Sequence, residues 1–232
     1  MKHMTNYFYF MIFLMLCLGG CSRYIDWGKS VFYQGKKVDL HAQEVRCFIR
    51  SVHVYDQLTT LGIFDALWLN DQVRVAYAQV YAAKHGLSQE RYEAFVQRQL
   101  QENLHDISFY VLVSLPVHES ISFVDKDAPW SMNLIIDDDS FVPVEIVPID
   151  LSPEYQMFFG KRFNKFKVCY LVKFNAVDVE GNYLIDQGSN NLELVFNRVG
   201  RKARLMWNLA NACPPAPLDP NILAYPVNKN IY

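Results

Sequence analysis

The 232-residue chain carries 22 Lys and Arg against 24 Asp and Glu, a formal net charge of −2 at pH 7. With no basic excess to neutralise phosphates, nucleic acid is not an expected partner. Hydrophobic residues make up 51% of the chain and aromatics 15%, which excludes wholesale disorder and supplies a sizeable core.

At the N-terminus, Lys2 gives a short positive region, followed by an uncharged apolar run from Tyr7 to Leu18. That is the layout of a secretory signal. The run falls short of the roughly 20 apolar residues that a bilayer span needs. It closes on Leu18-Gly19-Gly20-Cys21, which resembles the lipobox of bacterial lipoproteins. The resemblance implies a diacylated Cys21 thiol, cleavage between Gly20 and Cys21, and acylation of the new amine. Gly19 stands where the family prefers Ala, Ser or Thr. Ser22 occupies the place of the inner-membrane retention aspartate, so the resemblance implies lipid anchoring in the outer membrane, facing the periplasm. The alternatives are an uncleaved signal anchor, or an ordinary signal peptide ending at Cys21. Each buried methylene contributes about 0.8 kcal/mol, so two or three acyl chains would anchor the protein nearly permanently. On this reading residues 1–20 are the signal peptide and 21–40 a tether. A single globular domain covers 41–212, and 213–232 form a Pro-rich tail.

Within the domain, Val45 to Tyr55 contains Ser51-Val52-His53-Val54-Tyr55, whose alternation is that of a half-buried strand. Asn70 or Asp71 can cap a helix whose apolar face is Val73, Ala76, Tyr77, Val80 and Tyr81. Gly86 is placed to end that helix in the left-handed conformation. Ser88 offers a second N-cap, ahead of a face formed by Tyr92, Phe95, Val96, Leu100 and Leu104. The short link Gly86-Leu87-Ser88 predicts a helical hairpin over about 71–105.

A β-rich half follows over about 106–209. Its strand candidates are Ile107–Leu115, Trp130–Ile136, Phe141–Ile149, Phe166–Val177, Leu192–Phe196 and Ala203–Trp207. Asp137-Asp138-Asp139-Ser140 reads as a hairpin turn between the second and third of these. Pro143 and Pro148 point to an edge strand or a bulge. Counting the early strand, the pattern predicts an α+β fold: a β-sandwich of about seven mainly antiparallel strands with a packed two-helix hairpin. The layout also resembles bacterial lipoproteins that carry a helical pair before a β-rich half.

Chemistry is sparsely signalled. With Cys17 in the signal and Cys21 assigned to lipid, Cys47, Cys169 and Cys213 remain, and the apolar surroundings of Cys47 and Cys169 read as those of buried thiols. One pair could bridge in an oxidising compartment, but spacing does not select it. Asp125, Asp127 and Asp137 to Asp139 are the densest carboxylates, and turn chemistry explains them without a cation. His41, His53, His85, His105 and His118 are scattered without metal-ligand spacing. No catalytic residue, cofactor or metal site is assigned.

The segment Tyr155 to Phe166 interleaves aromatics with Lys161, Arg162 and Lys165, in what reads as an inter-strand connection. Tyr155, Phe158, Phe159, Lys161 and Arg162 are therefore a candidate interaction patch for a partner protein, a glycan or lipid headgroups. The competing reading has Phe158 and Phe159 covering an open end of the sandwich core. The functional expectation is a membrane-anchored envelope lipoprotein in non-enzymatic macromolecular binding or envelope assembly, with an envelope protein or glycan as partner. The alternative is an envelope hydrolase acting on glycan, peptide or lipid.

Overall fold

The computed structural model describes residues 42–57, 59–116, 123 and 128–210. The signal, lipobox and tether, together with the Pro-rich tail, lie outside the described residues. After a helical turn over 42–48 come β1 (Ile49–Asp56), β2 (Thr59–Trp68), α1 (Asp71–His85), α2 (Gln89–Asn103) and β3 (Asp106–Ser114). Then follow β4 (Ser131–Ile136), β5 (Asp139–Phe141), β6 (Glu145–Ile149), α3 (Pro153–Phe159), β7 (Val168–Asn175), β8 (Asn191–Arg198) and β9 (Arg201–Asn208).

The helical hairpin forms where capping chemistry places it. Asn70 Oδ1 accepts from the Val73 N–H at 3.0 Å, satisfying one orphan donor of the first turn. Gly86 takes φ 61° and ψ 41°, and its N–H returns to the Ala82 carbonyl. A side chain there would be strained. Ser88 does sit at the N-cap of α2, but its hydroxyl makes no capping bond.

The strands form two antiparallel sheets, one in the order β1-β2-β3-β7-β6 and one in the order β5-β4-β8-β9. This is the α+β sandwich expected from the strand pattern, with nine strands among the described residues rather than about seven. Thr59 to Trp68 is the strand missed, paired on both sides by β1 and β3. Phe141 to Ile149 is not one strand. Its first part pairs with β4 through a two-residue turn at Asp137-Asp138, while Glu145–Ile149 pairs with β7 in the other sheet. The chain changes sheets across Val142-Pro143-Val144. Pro148 then falls on an edge strand, where a missing N–H does least harm.

The inner core lies between the sheets. Phe64, Ala66, Phe109, Val111, Val172 and Phe174 of the larger sheet meet Leu134, Leu192, Leu194, Phe196 and Trp207 of the smaller. The Phe64 and Phe196 rings stack across the gap at 4.2 Å. The larger sheet is also buried on its other face. There Leu67, Leu112 and Cys169 pack with Val73, Ala76 and Val80 of α1, with Tyr155, Phe158 and Phe159 of α3, and with Ala42, Val45 and Phe48. The layers are thus small sheet, large sheet, helices. Trp130 and Trp207 are buried in the inner core. Cys169 is a free buried thiol, but Cys47 is disulfide-bonded, which corrects the thiol expected there. Its partner lies outside the described residues.

One edge of the sandwich is stitched shut. Trp207 Nε1 donates to the Phe48 carbonyl at 2.8 Å, Arg50 Nε donates to the Met206 carbonyl at 2.8 Å, and Arg201 pairs with Asp56 at 2.6 Å. Trp207→Phe keeps the ring but strands a buried carbonyl. It should lower stability by about 2 kcal/mol, read as a shifted denaturation midpoint with an unchanged slope.

Candidate functional site

The helical layer holds a cleft of about 360 Å³ between α1, α2, α3 and the outer face of β3. Rings form its walls. Tyr77 and Tyr155 stack at 4.3 Å with 10° between planes, and Tyr81 and Phe95 stack at 4.9 Å. Tyr110 meets Tyr155 edge-on at 4.7 Å. The helical spacing of Tyr77 and Tyr81 puts both rings on one face of α1, and Phe95 answers them from α2.

The polar lining is Arg74, Arg98, Gln99 and Glu102. Arg74 is only 3% exposed and is fixed by its neighbours. Its Nε donates to the Leu69 carbonyl and to Asn103 Oδ1, and its Nη1 donates to Glu102 Oε2 at 2.6 Å. Asn103 Nδ2 in turn donates to Asp71 Oδ1 at 2.6 Å, so the C-terminus of α2 is tied to the N-terminus of α1. Arg98 lies over the Phe95 ring at 5.2 Å, in cation–π contact. Lys84 clamps the far end of α1 to α3 by donating to buried Glu154 at 2.6 Å. Burial alone would raise the Glu154 pKa, but the Lys84 hydrogen bond and charge outweigh it and hold the carboxyl below its ordinary value.

The candidate patch divides three ways. Phe158 and Phe159 are each 1% exposed, and Tyr155 is 4%. They occupy one face of α3, the helix that connects β6 to β7, so the aromatic half of the patch is not a surface. Both phenylalanines pack on the outer face of the large sheet rather than over an open end of the inner core. Tyr155 instead lines the cleft. Lys161 and Arg162 are exposed on the turn that follows α3. Arg162 Nε donates to Ser51 Oγ at 3.0 Å and lies 3.9 Å from Asp65 Oδ1. Lys167 also pairs with Asp65, which is buried.

The acidic loops meet at the far end of the small sheet, around a cavity of about 280 Å³ lined by Asp137, Asp139, Asp178 and Asp186. Their carboxylates serve the turns. Asp137 Oδ1 accepts from the Asn190 and Asn191 amides, Asp178 Oδ1 from Glu180 and Asn182, and Asp186 Oδ1 from Gly188 and Ser189. Backbone hydrogen bonds hold Asp178 and Asp186 below the ordinary carboxylate pKa. Among the described residues, no group of three His, Cys, Asp or Glu is placed to hold a metal ion. His53 bonds the Tyr55 hydroxyl at 3.0 Å and His85 packs on Tyr81, while Asp125, Asp127, His41 and His118 lie outside the described residues.

Sequence reasoning missed the cleft, although one signal for it was present. Ser152-Pro153-Glu154 is a helix start, and Tyr155, Phe158 and Phe159 follow at helical spacing. Compared with known proteins, the chain matches no family model, no curated protein and no solved structure.

Burial pushes the Tyr110 phenol up to about 12 and raises Tyr155 well above its ordinary value. Burial, followed by the Glu154 charge, also raises Tyr77. The phenols therefore remain neutral and able to donate throughout the physiological range. A phenol with a raised folded pKa stabilises the fold fully below its unfolded pKa of about 10, and that contribution is lost as pH climbs toward 12. Folding stability should therefore fall by about 3 kcal/mol over that interval through Tyr110. Tyr110→Phe should flatten the decline in urea titrations run at stepped pH.

Proposed function

We propose that this protein is a lipid-tethered component of the bacterial envelope that binds a glycan-type ligand in the aromatic cleft without transforming it. On this reading Gly20 and Cys21 flank the cleavage site, acylated Cys21 holds the domain at the outer membrane, and the domain faces the periplasm. One feature supports that setting: Cys47 is disulfide-bonded, as befits an oxidising compartment. No helix among the described residues is long and apolar enough to cross a membrane.

The observation that carries the binding role is the lining of the cleft. Half-buried Tyr77, Tyr81 and Phe95 line the cleft beside Arg98 and Gln99, a mixture of aromatic edges and hydrogen-bonding groups of the kind that holds sugars. Among the described residues, only one carboxylate lines the cleft, Glu102, and it is salt-bridged to Arg74. Glycoside hydrolysis by the usual routes needs two, one of them able to donate a proton. The acidic cavity is no better suited to that work, because turn amides hold Asp178 and Asp186 ionised. Binding is therefore favoured over the hydrolase reading.

One preparation tests both halves. Mature protein extracted from membranes should begin at Cys21 and carry an acyl-sized mass increment that Cys21→Ala abolishes. Without reduction, peptide mapping should recover Cys47 in a cross-linked peptide. Titrated with soluble fragments of envelope glycan, the protein should bind saturably, and Phe95→Ala should weaken binding about tenfold. New reducing ends in the recovered glycan would establish a hydrolase and overturn the binding role.

A further inference from the structure

The ledge that follows α3 is a cationic surface. Between Glu154 and Asp178 the sequence contains no Asp or Glu, but it holds Lys161, Arg162, Lys165, Lys167 and Lys173. α3 stops at Gly160, whose φ of 55° turns the chain out into an exposed turn over Gly160–Arg162. A second turn follows, fixed by Asn164, whose carbonyl accepts from Lys167 N–H and whose side chain accepts from Phe166 N–H. The two turns present Lys161, Lys165 and Phe166 to solvent. Phe166 is 76% exposed, and the Lys165 ammonium lies 5.2 Å from its ring centre.

Charge on the ledge is only partly compensated. Arg162 and Lys167 share the single carboxylate of Asp65, leaving an excess of one positive charge at that cluster. Lys173, on β7, is paired with Glu145 and Asp106. Lys161 and Lys165 have no carboxylate partner among the described residues.

Position gives the excess a direction. Ala42, Val45 and Phe48, where the chain enters the domain, share one core with Phe158 and Phe159 immediately ahead of the ledge. Arg162 then bonds Ser51 on β1. The ledge and the point from which the tether departs are therefore on the same layer of the domain.

We propose that this ledge is a second membrane contact, in which Lys161 and Lys165 meet lipid phosphates and Phe166 inserts among anionic headgroups. The proposal rests on the lipid-tethered reading, because the tether supplies the proximity that a weak electrostatic contact requires. An anionic bilayer suits the ledge better than a discrete ligand does. The residues sit on two exposed turns, lysines act as mobile point charges toward phosphate, and an exposed ring suits the headgroup boundary.

The test uses the mature chain with Cys21→Ala, which lacks the acyl anchor, and vesicles of phosphatidylcholine with and without about a third phosphatidylglycerol. The protein should sediment with the anionic vesicles alone, and added salt should release it. Lys161→Gln with Lys165→Gln should weaken partitioning roughly 30-fold, because each lysine near the surface contributes about fivefold. Phe166→Ser should weaken it further, and all three sites are exposed, so the fold should keep its denaturation midpoint. Equal binding to both vesicle types, no binding, or indifference to the double substitution would overturn the proposal. Recovery of a stoichiometric protein or glycan bound through Lys161 and Lys165 in place of lipid would overturn it too. The mass of wild-type protein from membranes keeps the two readings apart. Vesicle binding by a chain that is never acylated would sustain the ledge and remove the tether.

Discussion

The five-stranded sheet is buried on both faces, and the rest of the molecule follows from that constraint. Along β3 the side chains alternate between two cores. Phe109, Val111 and Val113 enter the space between the sheets, while Leu112 enters the space beneath the helices. A strand with apolar residues on both faces cannot be left half-solvated, since exposing one large aliphatic side chain forfeits about 2 kcal/mol. The smaller sheet has no such demand. β9 alternates exposed and buried residues, with one face to solvent. A helical layer is therefore required on one side of the sandwich and absent from the other, and that layer holds both the cleft and the ledge.

The layer is fastened by polar contacts at its corners. Arg74, Glu102, Asn103 and Asp71 join the two helices of the hairpin, and Lys84 with Glu154 joins α1 to α3. Between these clamps the rings of Tyr77, Tyr81, Phe95 and Tyr155 are held at stacking distance. The cleft exists because α2 leans on α1 through half-exposed rings and buries no residue completely. A better-packed hairpin would have closed it.

Much of this architecture could be read from local patterns. The Asn70 cap, the Gly86 terminus and the hairpin were legible because capping depends on a few adjacent residues. The Asp137-Asp138 turn was legible for the same reason. β2 was not, because its alternation is hidden. Gly62 lies against the Phe64 ring and Leu115, Asp65 is buried among partners distant in sequence, and Phe64 to Leu67 are buried on both faces. The switch of sheets after Phe141 was equally hidden, since Val142 to Ile149 has strand composition whichever sheet it joins. The aromatic segment misled for a different reason. Composition marks Phe158 and Phe159 as unusual, but only tertiary packing decides whether such rings face solvent or a sheet. Lys161 and Lys165 are exposed, with no carboxylate partner among the described residues.

The most direct measurement of the layered architecture is hydrogen exchange resolved along the chain. Two-faced burial makes α1 part of the cooperative core, so its amides should be protected to the level of those in β3 and β7. α2, which buries no residue completely, should exchange earlier. If α1 exchanged as readily as α2 while the sheet stayed protected, the helices would be a detachable cover. The large sheet would then stand without them, and its two-faced burial would not be the constraint that organises the fold.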